Sequence, residues 1–134
     1  MSTAAETPPG VAIDLEERFS RFTDQWAPRR IATVNDYDVR IAKVEGEFVW
    51  HSHPETDEFF MVISGRLTIK MRLPDGGGEG EVALTAGQIF VVPQGTEHCP
   101  VADEETEILM FEPTRTPHTG DQVSERTREP QALN

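Results

Sequence analysis

Residues 46–65 read Gly46-Glu-Phe-Val-Trp-His51-Ser-His53-Pro-Glu-Thr-Asp-Glu58-Phe-Phe-Met-Val-Ile-Ser-Gly65. Two histidines stand two positions apart in a segment with strand character, so both rings are predicted to point to one face of a sheet. A Pro54–Asp57 turn follows and brings Glu58 to the start of the next strand. The three side chains of one hairpin, His51, His53 and Glu58, are therefore predicted to converge on one point.

A second stretch, residues 87–98, reads Gly87-Gln-Ile-Phe-Val-Val-Pro93-Gln-Gly95-Thr-Glu-His98. Its glycines mark turns at either end of the apolar strand Ile89–Val92, and His98 begins another strand that can add a third imidazole. A metal ion is the simplest reason to gather imidazoles and a carboxylate inside an otherwise apolar barrel, because an unpaired charge there is costly. Neutral imidazoles with one carboxylate suit Fe, Mn, Ni, Zn or Cu better than Ca or Mg. We therefore predict one divalent transition metal per chain.

Outward from these stretches, apolar and polar residues alternate with a period of two from about residue 29 to residue 112. Short strands with turn signals every 8–12 residues are typical of a β-sandwich or barrel. The predicted strands include Tyr37–Ile41, Phe59–Ile63, Leu67–Met71, Val82–Leu84, Ile89–Val92, His98–Val101 and Glu107–Phe111.

The two ends of the chain have a different character from the strand-rich middle. Residues 1–28 are predicted to form a flexible N-terminus and one short helix that is capped by Asp14 and stopped by Pro28. The apolar face of that helix comprises Leu15, Phe19, Phe22 and Trp26. Residues 113–134 form a polar C-terminal tail, either mobile or an arm across a partner subunit, in which His118 is expected to be exposed.

The two stretches resemble the two motifs of the cupin superfamily. The first motif is Gly, five residues, His-x-His, three or four residues, Glu, six residues and Gly; the second is Gly, five residues, Pro-x-Gly, two residues, His, three residues and Asn. The chain departs from them twice, since four residues rather than five separate Gly46 from His51, and Ala102 stands at the Asn position. Neither departure falls on a metal ligand of the family.

The resemblance implies an all-β fold, an antiparallel double-stranded β-helix (the cupin jelly-roll barrel) over residues 29–112, which commonly forms a homodimer. Transferred residue by residue, it implies four metal ligands: His51, His53, Glu58 and His98. Three imidazoles and one carboxylate leave one or two positions open on the metal, as a catalytic site requires. The strand parity of these ligands predicts an apolar substrate pocket lined by Val49, Phe60, Val62, Phe90 and Met110. Phe48 and Trp50 are predicted to lie on the opposite face and to favour dimerisation, and the Phe19/Phe22/Trp26 stripe either covers that face or reaches across the dimer.

Composition limits the partners. The 134 residues include 12 Lys+Arg and 24 Asp+Glu, which gives a formal net charge of −12. Nucleic acids and anionic membranes need a basic patch, so neither is expected as a partner. No apolar segment reaches the length of a membrane span. With a single cysteine, Cys99, the sequence is typical of a reduced, cytoplasmic protein.

Two classes of function remain open from the sequence. The first is a metalloenzyme, an oxygenase or oxidase or else an isomerase, that acts on a small organic molecule chelated by the metal. The second is a cupin that binds a sugar or another small molecule without turnover. No second acid or base stands out inside the barrel, which favours chemistry carried out by the metal. The sequence does not name the substrate, since one barrel hosts many chemistries.

Overall fold

Strands that pair mostly antiparallel dominate the regular structure of the described part of the chain. The structure is a computed structural model that describes residues 10–118, 120 and 131–133. A short helix comes first, and strands follow in chain order: α1 (Leu15–Phe19), β1 (Arg29–Val34), β2 (Tyr37–Glu47), β3 (Glu58–Ser64), β4 (Arg66–Arg72), β5 (Glu79–Thr85), β6 (Ile89–Val92), β7 (His98–Pro113) and β8 (Gln131–Ala132). The predicted all-β jelly-roll barrel with a short N-terminal helix is confirmed.

Strand β7 is the centre of the sheet because it pairs with three others. Strand β2 pairs along nearly all of one side of β7. On the other side, β4 pairs with the first part of β7 and β3 pairs with the last part. The sequence predicted two strands here, but β7 continues through the exposed acidic run Asp103–Glu105, opposite which its pairing with β2 shifts register between Val44 and Gly46.

Two apolar clusters hold the barrel together. The larger one fills the barrel interior with residues from β2, β3, β4, β5, β6 and β7; it contains Ala42, Val44, Phe60, Val62, Leu67, Ile69, Leu84, Val92, Ala102, Ile108 and Met110. The smaller one joins Phe19 and Phe22 to Ile31 and Ile41 on β1 and β2. Two members of the predicted aromatic stripe are therefore buried within the same chain.

The N-terminal helix is shorter than predicted. Asp14 caps it as expected, since its carboxylate accepts a hydrogen bond from the backbone N–H of Glu17 at 3.1 Å. The helix ends at Phe19, however, and the following segment runs beside β2, where the Trp26 backbone N–H donates to the Lys43 carbonyl at 2.8 Å. Pairing with a strand is incompatible with helical backbone, so the predicted continuation to Pro28 is wrong.

Both ends of the barrel sequence lie where the composition changes. Strand β1 begins at Arg29 and β7 ends at Pro113. Residues 1–9 of the predicted flexible N-terminus lie outside the described residues, as do positions 119, 121–130 and 134 of the predicted tail. Across the described ranges, no helix has the length and hydrophobicity needed to span a bilayer.

Candidate metal centre

A pair of backbone hydrogen bonds places two of the predicted ligands side by side. His51 donates its N–H to the carbonyl of His98 at 3.0 Å, and His98 returns the bond to His51 at 2.8 Å. Their imidazole centroids are 4.3 Å apart. His51 precedes β3 and His98 opens β7, so this bridge joins the two motif-bearing segments at the ligands themselves.

The loop between the histidines and β3 is fixed by the second motif. The Gly95 backbone N–H donates to the carbonyl of His53 at 2.9 Å. Gln94 donates its backbone N–H to the Asp57 carboxylate and its side-chain amide to the Pro54 carbonyl, both at 2.8 Å. The Pro54–Asp57 turn is thus held against the turn after β6, and this contact sets where β3 begins, at Glu58.

The four predicted ligands meet at one carboxylate oxygen. Glu58 Oε1 lies 2.8 Å from His98 Nε2, 2.9 Å from His53 Nε2 and 4.0 Å from His51 Nε2. All four side chains are buried, and their ligand atoms lie within 4.8 Å of one another. Adjacent ligand atoms on a metal with bonds of about 2.1 Å are separated by roughly 3 Å, so this spacing fits one ion.

The outer hydrogen bonds of the histidines direct their lone pairs inward. Nδ1 of His51 lies 2.9 Å from the Val49 carbonyl, and Nδ1 of His98 lies 2.9 Å from the Thr96 carbonyl. A carbonyl only accepts, so each Nδ1 carries the proton and each neutral ring presents an acceptor at Nε2. An acceptor nitrogen facing a carboxylate oxygen at 2.8 Å requires a cation between them, either a proton or a metal.

His51 gives the clearest test of fit for a metal. Its Nε2 is buried and has no hydrogen-bond partner among the described residues. An unpartnered buried nitrogen costs stability, and a bound transition metal would satisfy it. The residues present therefore fit a metal ion.

Burial and mutual contact shift the titration of this cluster. Burial, followed by the charge on His98, lowers the pKa of His51 to about 4. Burial alone would raise the pKa of Glu58, but the hydrogen bonds from His53 and His98 outweigh it and hold that pKa well below its usual range. A neutral His51 and an ionised Glu58 are the forms that bind metal, so both are ready at neutral pH.

A small, largely apolar cavity adjoins the cluster. Its volume is about 20 Å³, enough for about one water molecule. It is lined by Trp26, Pro28, Ala42, Val44, Phe48, His51, Glu58, Phe60, Pro100, Ile108, Met110 and His118. Two of the predicted pocket residues, Phe60 and Met110, are in this wall. Val62 is fully buried in the barrel core, Phe90 packs against that core, and Val49 is half-buried. Contact of any of these five residues with a substrate remains a prediction.

Residues 113–118 and 120, which we call the C-terminal strap, pass over this end of the barrel. Arg40, whose side chain is fully buried on β2, donates to the carbonyls of Thr114 at 2.8 Å and Thr116 at 2.6 Å. It also contacts two buried carboxylates, Asp38 at 2.9 Å and Glu112 at 2.7 Å. One guanidinium thus joins the strap to both β2 and the end of β7.

The strap packs directly against the candidate ligands. At Gly120, with a φ of +58°, an added Cβ would lie 2.2 Å from the Ser52 carbonyl oxygen and 2.9 Å from His51 Cδ2. Two steps earlier, His118 is 6% exposed and lines the cavity, so its expected exposure is wrong. His118 is buried because the strap is anchored by the guanidinium of Arg40. Arg40 lies outside the tail, so the tail's own sequence does not predict this burial.

Phe48 also lies on the side of the ligands rather than opposite them. Its ring is edge-on to His51 at 5.7 Å, stacked on Trp26 at 4.4 Å and 5.3 Å from His118. The predicted opposite face is therefore wrong for Phe48. The backbone leaves β2 at Glu47, so strand alternation no longer applies between Phe48 and His51.

The sequence analysis missed a buried acidic residue beside the site. Burial raises the pKa of Glu112 well above its usual range, and the charge of nearby Glu58 raises it further against the opposing effect of Arg40. Parity could have indicated this residue, because Glu112 shares a face of β7 with Ile108 and Met110, which belong to the barrel core.

Comparison with known proteins agrees with this geometry. The chain is 33% identical over 88 residues to the uncharacterized protein YdbB of Bacillus subtilis (strain 168), an alignment that covers 66% of this chain and 67% of YdbB. A crystal structure of a cupin-2 domain containing protein from Shewanella frigidimarina is 46% identical, with a TM-score of 0.70, and covers 75% of this chain and 93% of its own. Hydroquinone 1,2-dioxygenase PnpCD in complex with Fe³⁺ shares the fold at 18% identity and a TM-score of 0.70, over 83% of this chain and 34% of its own. The profile of the cupin domain family matches residues 37–114, and the chain belongs to that family.

Proposed function

We propose that this cupin is a metalloenzyme that binds one divalent transition metal through His51, His53, Glu58 and His98. The observation that carries the proposal is the convergence of three Nε2 atoms on one carboxylate oxygen, with His51 Nε2 buried and without a hydrogen-bond partner in the described part of the chain. Only a cation satisfies this arrangement, and a proton satisfies one nitrogen at a time.

The substrate we propose is a small organic molecule that chelates the metal through oxygen atoms. A divalent metal facing one carboxylate retains about one positive charge, which favours an anionic or enolisable ligand such as a carboxylate, enediol or diketone. When bound, the metal would polarise these oxygens or exchange electrons with them. The protein's own residues fix the ligand geometry, exclude water through the apolar wall and hold Glu58 ionised.

The reaction class we propose first is that of an oxygenase or oxidase, with an isomerase second. The likeness to hydroquinone 1,2-dioxygenase in complex with Fe³⁺ supports testing iron and dioxygen first. Among the described residues of the cavity wall, His118 is the single imidazole outside the ligand cluster. A mostly apolar wall with so few acid–base groups favours chemistry at the metal over proton shuttling by side chains.

Elemental analysis of untagged protein after reconstitution with Fe²⁺, Mn²⁺, Co²⁺, Ni²⁺ or Zn²⁺ tests the proposal. We expect about one metal per chain in the wild type. Glu58→Gln keeps the shape of the side chain but removes the charged ligand, and should weaken binding by more than about 100-fold. The matched control, Glu55→Gln, changes an exposed carboxylate in the adjacent turn and should retain full occupancy.

Three outcomes decide the proposal. Absence of metal after reconstitution, or full occupancy in the Glu58 variant, would overturn the site. Oxygen uptake with catechols, diketones or small thiols by the loaded wild type would support the enzyme. Ligands that bind the loaded protein but are never converted would instead indicate a binding protein without turnover.

We also propose that the chain forms a homodimer in the cytoplasm. Two large apolar side chains on β6, Ile89 and Val91, are 55% and 44% exposed. Strand β6 pairs only with β3 among the described strands, which leaves one of its edges open. An open apolar edge is a surface that a second copy can cover. Phe19 and Phe22 no longer support a dimer, since they are buried within the chain.

A further inference from the structure

A second, larger cavity also adjoins the metal cluster. Its volume is about 380 Å³, which lies within the range of about 300–1,000 Å³ found for small-molecule sites. Residues 53–56 of the ligand-bearing loop form one wall, and strap residues that include Arg115, Pro117 and Gly120 form the other. His53 therefore belongs both to this wall and to the candidate ligand cluster.

The strap contributes to both cavities, although the two share no lining residue. His118 lines the small apolar cavity, whereas Pro117 and Gly120 line the large one. The small cavity holds about one water molecule, but the large one has room for a small organic molecule. The large cavity is therefore the side from which such a molecule approaches the ligands.

Arg115 gives the large cavity its positive charge. It is the only arginine or lysine among the described residues of the wall. Its side chain is exposed and has no hydrogen-bond or ion-pair partner within the described ranges of the chain. In a chain with 24 carboxylates and 12 cationic side chains, an arginine without a carboxylate partner is available to an anion from solution.

The charges around the large cavity suit a molecule with two anionic ends. A divalent metal with Glu58 as its single carboxylate ligand retains about one positive charge at the inner end. The Arg115 guanidinium supplies a second positive centre on the strap, with paired N–H donors that match a carboxylate. Glu55 lines the same cavity, and its carboxylate disfavours a group of higher charge such as a phosphate.

We propose that Arg115 binds a carboxylate at the end of the substrate remote from the metal, and that the large cavity holds the rest of the molecule. This inference rests on the proposed function, since it requires a ligand on the metal. It narrows the substrate class to small oxygen chelators that carry a separate carboxylate. Gly120 packs closely on Ser52 and His51 at the inner end, so the chelating oxygens reach the metal when this contact opens.

The test compares two catechols on the Co²⁺-loaded protein in the absence of oxygen. Both 3,4-dihydroxybenzoate and 4-methylcatechol chelate through adjacent hydroxyl groups, but only the first has a carboxylate, which the rigid ring keeps away from the chelated metal. Their dissociation constants are read from the visible Co²⁺ spectrum of the wild type and of Arg115→Gln. We expect the variant to weaken 3,4-dihydroxybenzoate at least about 5-fold and to leave 4-methylcatechol and Co²⁺ within about 2-fold.

Two further variants separate a contact at this wall from a change in net charge. Arg115→Lys keeps the positive charge and should retain most of the affinity for 3,4-dihydroxybenzoate. Arg66→Gln removes the same charge from an exposed residue that lines a different cavity, and it should leave both probes unchanged. Raising the salt from about 0.05 M to about 0.5 M should reduce the difference between the wild type and Arg115→Gln, because exposed charges are screened. Melting temperatures identify any variant that fails to fold.

Each outcome supports or overturns the inference. Equal affinities of the wild type and Arg115→Gln for 3,4-dihydroxybenzoate would overturn it. Equal weakening of both probes, or the same weakening in Arg66→Gln, would also overturn it, because the effect would not come from a carboxylate at this wall. A Co²⁺-loaded wild type that binds neither catechol would remove the chelating substrate together with this inference. A protein that binds no Co²⁺ would instead refute the proposed metal site, which is a distinct failure.

Discussion

The imidazole of His51 couples the candidate metal site to the stability of the fold. Its pKa is lowered from 6.5 to about 4, first by burial and then by His98. Between these values the unfolded chain binds a proton at this position while the folded chain does not. Stability from this group is therefore fully present above pH 6.5 and is lost as the pH falls toward 4.

We predict that the metal-free protein loses about 2 kcal/mol of unfolding free energy between pH 7 and pH 5 through His51. Glu58 lies outside this window because its pKa is below its ordinary value of 4.5, whereas Glu112, whose pKa is raised, acts in the opposite direction, so the difference between the wild type and a His51 variant isolates the His51 contribution. Urea unfolding at the two pH values, with His51→Gln as the comparison, measures the effect. The variant should show a shallower dependence, and identical slopes would contradict the assignment.

Residue-level prediction from the sequence was most reliable where spacing alone placed the side chain. The spacings His51-x-His53 and Glu58 after a turn were sufficient to bring these groups together, and His98 joined them through its backbone bridge to His51. His118 and Phe48 were misplaced because their positions depend on contacts with Arg40 and Trp26, which lie far away in the sequence. No local pattern encodes such contacts.

At the scale of elements, the close packing of the strap against Ser52 and His51 depends on the absence of a side chain at Gly120. We predict that Gly120→Ala lowers the melting temperature by several degrees and increases proteolysis within the strap, because the new Cβ would overlap the Ser52 carbonyl. Differential scanning fluorimetry and limited proteolysis check both effects.

The matched control for this substitution is Gly78→Ala. Gly78 has a φ of +83° but nothing within 4 Å of an added Cβ, so its substitution causes backbone strain without overlap. Strain alone costs about 1 kcal/mol. Similar losses in both variants would show that the strap does not press on the ligand loop.

Elements were predictable where local signals agreed with tertiary pairing. The sequence pattern correctly predicts three features: the turn at Asn35 and Asp36, the start of β3 at Glu58, and strand β4 with one solvated face. The pattern failed at α1, where an apolar helical spacing continues but the backbone turns to pair with β2. It also failed within β7, since the acidic run Asp103–Glu105 reads as a break, whereas the strand continues through it and its pairing with β2 resumes after a register shift between Val44 and Gly46.

At the scale of the whole molecule, net charge and exposed apolar surface determine whether two copies of the chain associate. A net charge of −12 opposes self-association at low ionic strength, because like charges repel within a Debye length of about 10 Å at 0.1 M salt. We predict a homodimer by light scattering coupled to size exclusion at 0.15 M salt, with dissociation on diluting the salt. Ile89→Glu, on the open edge of β6, should give a monomer.

Val34→Glu provides the control, since Val34 is 49% exposed at the end of β1 and away from that edge. It should leave the dimer intact. A wild type that is monomeric at every salt concentration would overturn the dimer proposal. An Ile89 variant that remains dimeric would show that the open edge of β6 is not the interface.

The strap over a cavity of about 20 Å³ also has a kinetic consequence. If ligands reach the metal only after the strap moves, the observed association rate should rise with ligand concentration and then level off at the opening rate. That plateau would be the same for chelators of different size and charge. The barrel would then set which metal is held, while the strap sets how long a bound molecule stays.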